Sequence, residues 1–417
     1  MRRLTDFRPG EAATFEPLVQ RIEARPSIRP AASYSHLETV RGACALTGLI
    51  SLFTCTGRDG RTGGLLGAVT SNRAHKTPAV IRLNDHHGSK HMRAAVIREH
   101  GGPEVLRIED VPDPIPARGE VLVRLRCAAL NYHDVLLRRS GLGMSLPLIM
   151  GVDGAGVRED TGERVVIQPS LNWGPNPAAP GPGWSILGDR VQGTYAELIA
   201  LPEENLRPMP SGWSWSEAAA LPTGGLTVYR GLFTRGALKA GETVVMLGAG
   251  GGIATFVIAM AAAAGARVLV TSSSHQKIER AVELGASGGV IYNDIDWTEQ
   301  IQALTPTGEG ADLVVDTVGR DTAASLRCVR PGGRLVVFGA PPGAVASFDL
   351  RAFYFSQRSI IATTLGTGTE FTELLASLDQ QPWRPVIDST FSFDDVAAAH
   401  ARMESGKHFG KIVLAFD

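Results

Sequence analysis

Two kinds of hydrophobic patterning divide the chain. From Met92 to about residue 213, short apolar runs broken by glycine and proline, such as "RAAVI", "EVLVRLRCAAL", "ERVVIQP" and "TYAELIAL", predict β-strands. Apolar and polar positions alternate over Glu120–Leu125, the pattern of a strand with one packed face. The stretch 170–189, "SLNWGPNPAAPGPGWSILGD", is dense in glycine and proline and predicts a long surface loop. After "MPSGWSWSEAAAL" the pattern changes. Thr243–Leu247, "TVVML", is continuously apolar, as a parallel strand covered on both faces must be. A helical run of small residues follows, "IATFVIAMAAAAG". Then come "ARVLVTS", the helix "HQKIERAVELGA", "GGVIY", "ADLVVDTVG", "GGRLVVFGA" and "RSIIATTLG". Six strand candidates with helices between them predict an α/β fold with a doubly wound parallel sheet. The last fifty residues or so are mixed and close on a further strand, "GKIVLAF".

Composition changes this picture mainly at the N-terminal end. A chain of 417 residues exceeds one ordinary core and predicts two domains plus an extra segment. At 44% apolar and 20% charged it reads as a soluble globular protein, and a net charge of −1 implies no nucleic-acid partner. Cys44, Cys55, Cys127 and Cys328 show no paired spacing, which fits a reducing compartment. The apolar run Ala43 to Thr56 is too short to span a bilayer and lies too far in for a signal peptide. The expectation is a cytoplasmic protein without a membrane partner. Residues 1–91 hold 13 Lys and Arg against 7 Asp and Glu, leaving 28 against 35 beyond, so the two parts carry +6 and −7. That first segment lacks sustained periodicity and is too acidic for an organelle transit peptide. It is expected to be a poorly ordered extension with no part in catalysis.

The chemistry concentrates around "LGAGGGIAT", Leu247 to Thr255, between the first parallel strand and its helix. Glycines there let the backbone approach a pyrophosphate, and the helix start offers unpaired N–H groups and partial positive charge. The strict GxGxxG spacing is absent. The best register is Gly248, Gly251 and Ala254, with Gly250 and Gly252 as extra freedom. A glycine cluster alone is weak, but a strand before it, a small-residue helix after it and five more strands make a dinucleotide site. Gly339, closing the strand "RPGGRLVVFG", is counted with the cofactor-binding positions.

The end of the second strand selects the dinucleotide. NAD-binding sites usually present an acid there to the ribose. Here stands "TSSSHQK", Thr271 to Lys277, without a carboxylate. Ser272, Ser273, Ser274 and Lys277 suit a 2′-phosphate, with Arg280 on the same helix face as Lys277. The serines also suit capping of the next helix, and both roles are compatible. NADP(H) is the expected cofactor.

From Met92 to Asp417, about four fifths of the chain, the sequence resembles the medium-chain dehydrogenase/reductase superfamily, and within it the zinc-free quinone oxidoreductase-like branch. The resemblance rests on the order and spacing of "GGPEVLRIEDVPDPIPARGEVLVR", "LNYHDVLLRRSG", "MGVDGAG", "GTYAEL", "LPTGGLTVYRGL", the glycine turn, "RPGGRLVVFG" and "HFGKIVL". It implies a GroES-like β-barrel catalytic domain, 92–213 with 366–417, beside a Rossmann NADP-binding domain, 214–365, with the active site between them. In zinc-dependent relatives the metal is held by a cysteine in the segment matching "LNYHD", a histidine in a "GHE" segment and a later cysteine. The matching positions here are Asn131, Val152 and Thr223, and valine cannot bind a metal while neutral Asn and Thr are poor zinc ligands. Cys127 and His133 fall beside these positions. The loop 170–189, where relatives carry a four-cysteine structural zinc lobe, has no cysteine. No metal is therefore expected.

The resemblance also assigns roles. Asn131 and Tyr132 fall where the family lines the substrate pocket, and both can donate to a carbonyl oxygen. Thr227 matches a position at the nicotinamide end. His133 reads as a proton donor or as a surface histidine, Asp134 as a helix cap, Asp153 as a barrel residue and Cys127 as core. The implied activity is NADPH-dependent transfer of hydride to a small molecule, a quinone or an α,β-unsaturated carbonyl. The alternatives are an alcohol dehydrogenase and a non-catalytic NADPH-binding protein. Relatives pair through the edge of the Rossmann sheet, and the apolar "SIIATTLG" implies a homodimer.

Overall fold

In a computed structural model, residues 90–140, 144–339 and 344–416 are described. Apart from Lys90 and His91, the expectation for residues 1–91 lies outside the described residues.

The strand–helix region forms a parallel sheet. Among the described residues its order is Gly288–Ile291, Arg267–Ser272, Thr243–Leu247, Ala311–Asp316, Val329–Val337 and Ser359–Ala362. The chain begins in the middle, winds outward one way, then returns to Ala311–Asp316 and winds the other. The strand order reverses between Thr243–Leu247 and Ala311–Asp316, which opens a crevice at their carboxyl ends. Successive side chains of a strand point to opposite faces. Val244 and Met246 accordingly join one buried cluster with Phe256 and Val257 of the helix Gly252–Ala263, while Val245 and Leu247 join another with Ile301 and Leu326. Burial on both faces is why "TVVML" carries no polar residue beyond its first.

The remaining strands build the barrel. Leu206–Pro208, Arg164–Ile167, Asp153–Arg158, Glu120–Ala129, Lys411–Ala415 and Ile387–Ser392 lie in that order, with Leu198–Pro202 also pairing Glu120–Ala129. The C-terminal strand thus returns to the barrel, antiparallel to Glu120–Ala129, with Val413 opposite Ala129. The helix Trp215–Ala220 is capped by Ser214 and Glu217 and lays three alanines on the barrel beside Ala129, Ala155 and Val413. The next helix, Pro222–Tyr229, packs on Gly252–Ala263. A Cβ at Gly224 would stand 2.6 Å from Phe256, so glycine is what lets the two approach. Among the described residues no helix is long and apolar enough to cross a membrane.

Three local expectations need correction. The stretch 170–189 is not a free surface loop: Ser170–Leu171 pairs with Ser185–Ile186, and Leu171, Trp173 and Leu187 are buried. Trp173 meets Trp184 edge to face, and Arg230 donates to the carbonyls of Pro177 and Ala178 at 2.9 and 3.0 Å. Its glycines and prolines shape a packed lobe around those tryptophans. Asp134, expected as a helix cap, lies inside the first turn of the helix Tyr132–Ser140 and accepts the Asn131 N–H from there at 2.8 Å. His133 is half-buried, with Nε2 4.0 Å from Asp189, where a surface histidine was one expectation.

Candidate active site

Strand register assembles the centre of the site. With Val413 opposite Ala129, the same antiparallel pairing carried two residues on sets Lys411 opposite Asn131, where the Leu130 N–H still reaches the Ile412 carbonyl at 2.9 Å. Lys411 Nζ donates to Asn131 Oδ1 at 2.7 Å and to Asp153 Oδ2 at 3.0 Å. Asn131 Nδ2 donates to the same Asp153 oxygen at 2.9 Å, and the backbone N–H of Thr223 donates to Asp153 Oδ1 at 2.8 Å. Lys411 and Asp153 are almost fully buried. Asp153, expected to serve the barrel, ties three separated segments together at this site.

Asp134 lies beneath. It is fully buried, its Oδ2 accepts from the Asn131 N–H and from the Tyr195 hydroxyl at 3.2 Å, and its Oδ1 has no partner among the described residues. Burial pushes its carboxyl up to about 7, against the Asn131 backbone bond and with a further push from Asp153. Cys127 is buried on Glu120–Ala129, and burial raises its thiol to about 11, which suits core packing and not a nucleophile. His133 is lowered by burial, with Asp189 opposing. Tyr132 is 59% exposed, whereas Thr227 is buried on the helix Pro222–Tyr229. Thr223 sits one turn before Thr227 on the same helix face, and its Oγ1 is buried without a partner among the described residues.

The glycine turn borders this centre. Gly248 has φ +101, a conformation that favours glycine, and donates its N–H to Thr271 Oγ1 at 3.0 Å. Gly251 precedes the helix Gly252–Ala263 without a side-chain cap, so the helix start keeps free N–H groups. A Cβ at Gly248 or Gly251 would point into open space, while one at Gly252 would stand 2.7 Å from Lys411 Cδ and one at Gly250 2.7 Å from Lys277 Nζ. The turn fits a dinucleotide: open before bare backbone, with a helix start and two lysines at its edges. Gly339 packs backbone to backbone, a Cβ there lying 2.3 Å from the Thr317 carbonyl.

The second-strand residues divide their duties. Ser272 Oγ accepts the Ser274 N–H at 3.2 Å, and Ser274 Oγ caps the helix His275–Glu283 through the Lys277 N–H at 3.4 Å. Ser273 is exposed. Lys277 Nζ donates to the Gly406 carbonyl at 2.7 Å, and Arg280 stacks on Phe409 at 4.2 Å. Burial lowers the Lys277 pKa, Asp388 opposing and Arg402 and Arg280 adding to the fall.

A zinc ion does not fit the residues present. Val152 offers no donor, Asn131 Oδ1 is engaged by an ammonium, and that ammonium would repel a second cation at the same place. Among the described residues no group of three His, Cys, Asp or Glu is placed to hold a metal. The sequence reading overlooked Lys411, Tyr195 and the Thr223 N–H. Lys411 stood in plain view in "HFGKIVL", but nothing local marks it as facing Asn131, 280 residues away.

The alcohol dehydrogenase GroES-like domain family matches residues 117–211, and the zinc-binding dehydrogenase family matches residues 252–380. A zinc-type alcohol dehydrogenase-like protein of Schizosaccharomyces pombe is 31% identical over 346 residues, 78% of this chain and 99% of that protein. A quinone oxidoreductase of Pseudomonas aeruginosa is 33% identical over 334 residues, 76% of this chain and 97% of its own. A crystal structure described as an NAD-dependent alcohol dehydrogenase superposes with a TM-score of 0.72 at 34% identity, over 78% of this chain and 99% of its own. Sheet order, glycine turn and these likenesses agree: the chain belongs to the medium-chain dehydrogenase/reductase superfamily, in its quinone oxidoreductase-like and alcohol dehydrogenase-like branch, and is an NAD(P)-dependent oxidoreductase.

Proposed function

We propose that this enzyme uses NADPH, without metal, to reduce a quinone or a carbonyl-conjugated double bond. The observation that carries the reading is the residue set at the positions where zinc-dependent relatives bind metal: Asn131, Val152 and Thr223, with the Lys411 ammonium beside Asn131. Bound NADPH supplies a hydride. The substrate takes up that hydride, with both its electrons, and one proton. Negative charge gathers on the substrate oxygen as the hydride adds, so donors aimed at that oxygen speed the step. Asn131 Nδ2–H and the exposed Tyr132 hydroxyl are those donors in this reading, with Thr227 toward the nicotinamide end. In this reading Gly248, Gly250, Gly251, Gly252 and Ala254 hold the pyrophosphate, and Gly339, packed on the Thr317 backbone, is counted with them. Ser272, Ser273, Ser274 and Lys277, without a carboxylate among them, support the 2′-phosphorylated cofactor. In this reading 92–213 with 366–417 form the catalytic domain and 214–365 the cofactor domain.

The test is a panel of quinones, enones and alcohols assayed with NADPH and NADH, together with elemental analysis. The expected result is NADPH consumption with a quinone or enone that survives chelators. The second reading, an alcohol dehydrogenase, is favoured by the NAD-dependent alcohol dehydrogenase likeness. Alcohol oxidation with NAD and about one zinc per chain would establish it in place of the first. A homodimer also belongs to this reading, since Ser359–Ala362 pairs Val329–Val337 on one side and Ile360 is 38% exposed. Light scattering that gives a monomer mass would count against it.

A further inference from the structure

Lys411 reaches from one part of the site to the other. Its stem passes Gly252 at the glycine turn, and its ammonium ends between Asn131 and Asp153. An ammonium has three donors and no acceptor, so the Asn131 atom facing it must be the carboxamide oxygen. That fixes the opposite end of the carboxamide as Nδ2, one of whose hydrogens is taken by Asp153 at 2.9 Å. Asp153 is held in turn by the Thr223 N–H at 2.8 Å. The carboxamide is therefore pinned at both ends, and its second Nδ2–H is left over on a residue that is partly exposed.

We propose that Lys411 is the positioning residue of this site: by holding Asn131 Oδ1 and neutralising Asp153, it presents the second Nδ2–H of Asn131 to the substrate oxygen. The proposal rests on the reductase reading above. Lys411 does not touch the substrate. It acts through Asn131, so its removal and the removal of Asn131 disable the same donor.

The experiment compares Lys411→Met, Asn131→Ala and the two combined. Losing one preorganised donor lowers kcat by about a hundredfold. Asn131→Ala is expected to do this, Lys411→Met to approach it, and the double variant to be no slower than Asn131→Ala, since coupled residues are not additive. Losses that multiply in the double variant overturn the proposal. So does Lys411→Met that weakens NADPH binding about tenfold while keeping kcat at saturating cofactor, because the lysine would then be a cofactor ligand. Lys411→Met leaves Asp153 buried without its counter-ion, which threatens folding. Lys411→Met with Asp153→Asn removes both charges together and is expected to show the same fall in kcat; full activity in that variant also overturns the proposal. If the wild type reduces neither quinones nor enones, the functional reading fails by itself. Orientation is then read from the side-chain amide resonances of isotopically labelled asparagine. Asn131 protons that are shifted and protected from exchange with water in the wild type, and lose that shift and protection in Lys411→Met, support the proposal, and resonances unchanged in the variant overturn it.

Discussion

Gly410 donates its backbone N–H to the carbonyl of Gly250 at 3.0 Å, stitching the approach to the last barrel strand onto the glycine turn. This contact lies one residue before Lys411, so it also sets where that side chain starts. Gly410 has φ +108, and a Cβ there would stand 2.4 Å from the Val386 carbonyl. Gly410→Ala should cost about 1–3 kcal/mol of stability and, with the cofactor at the glycine turn as proposed, weaken its binding. Chemical denaturation and cofactor titration check both effects. An unchanged denaturation midpoint would show that the position carries no strain.

Lys277 is the sharper probe of the cofactor. A charge-assisted hydrogen bond contributes roughly 1.5–3 kcal/mol, less where solvent screens it, and about 1.4 kcal/mol is tenfold in affinity. The expected outcome for Lys277→Ala is about tenfold weaker NADPH binding with NADH almost unchanged, since NADH presents a neutral hydroxyl at the ribose. Lys277 must leave the Gly406 carbonyl to make the bond, which holds the effect toward that lower value. Equal weakening of both cofactors would instead place the ammonium at the pyrophosphate, which its position against Gly250 permits.

Asp134 predicts a pH dependence of stability. Its folded carboxyl titrates near 7 against an ordinary 3.8, so between those values the folded protein holds a proton that the unfolded chain has released. Its contribution is fully present below the ordinary value and is lost as pH rises through the folded one. In Asp134→Asn, whose amide keeps the shape, this slope disappears. Relative to wild type the variant should therefore be more stable at about pH 8 than at about pH 5. Thermal unfolding at the two pH values measures it, and an unaltered difference would mean that Asp134 is ionised in the fold throughout.

Arg230 predicts the dependence of the 170–189 lobe on one buried ion pair. Arg230 and Glu370 are buried, joined at 2.7 and 2.8 Å, and Arg230 stacks on Trp173 at 4.9 Å while holding the Pro177 and Ala178 carbonyls. Arg230→Met strands Glu370 in the interior and should cost about 3–5 kcal/mol. Adding Glu370→Gln should recover part of that loss. Denaturation of the two variants, with proteolysis of the lobe as a second readout, checks the claim.

What the sequence determined by itself was what local pattern encodes. Continuous apolar runs such as Thr243–Leu247 report burial on both faces, alternation over Glu120–Leu125 reports burial on one, and a glycine run between strand and helix reports a turn that needs bare backbone. These features depend on neighbours within a few residues, so the parallel sheet, the barrel and the glycine turn between strand and helix were legible. The tertiary structure decided which charges meet. Lys411 faces Asn131 because two antiparallel strands, far apart in the chain, pair in the register that sets Val413 opposite Ala129. The Asp134 carboxyl rises because the fold buries it completely, a push that outweighs the hydrogen bonds from Asn131 and Tyr195, and the lobe at 170–189 is packed because Arg230 arrives from a distant part of the chain. Register and enclosure are sums over residues distant in sequence. No window along the chain contains them, and they place the ammonium beside the residue proposed to meet the substrate.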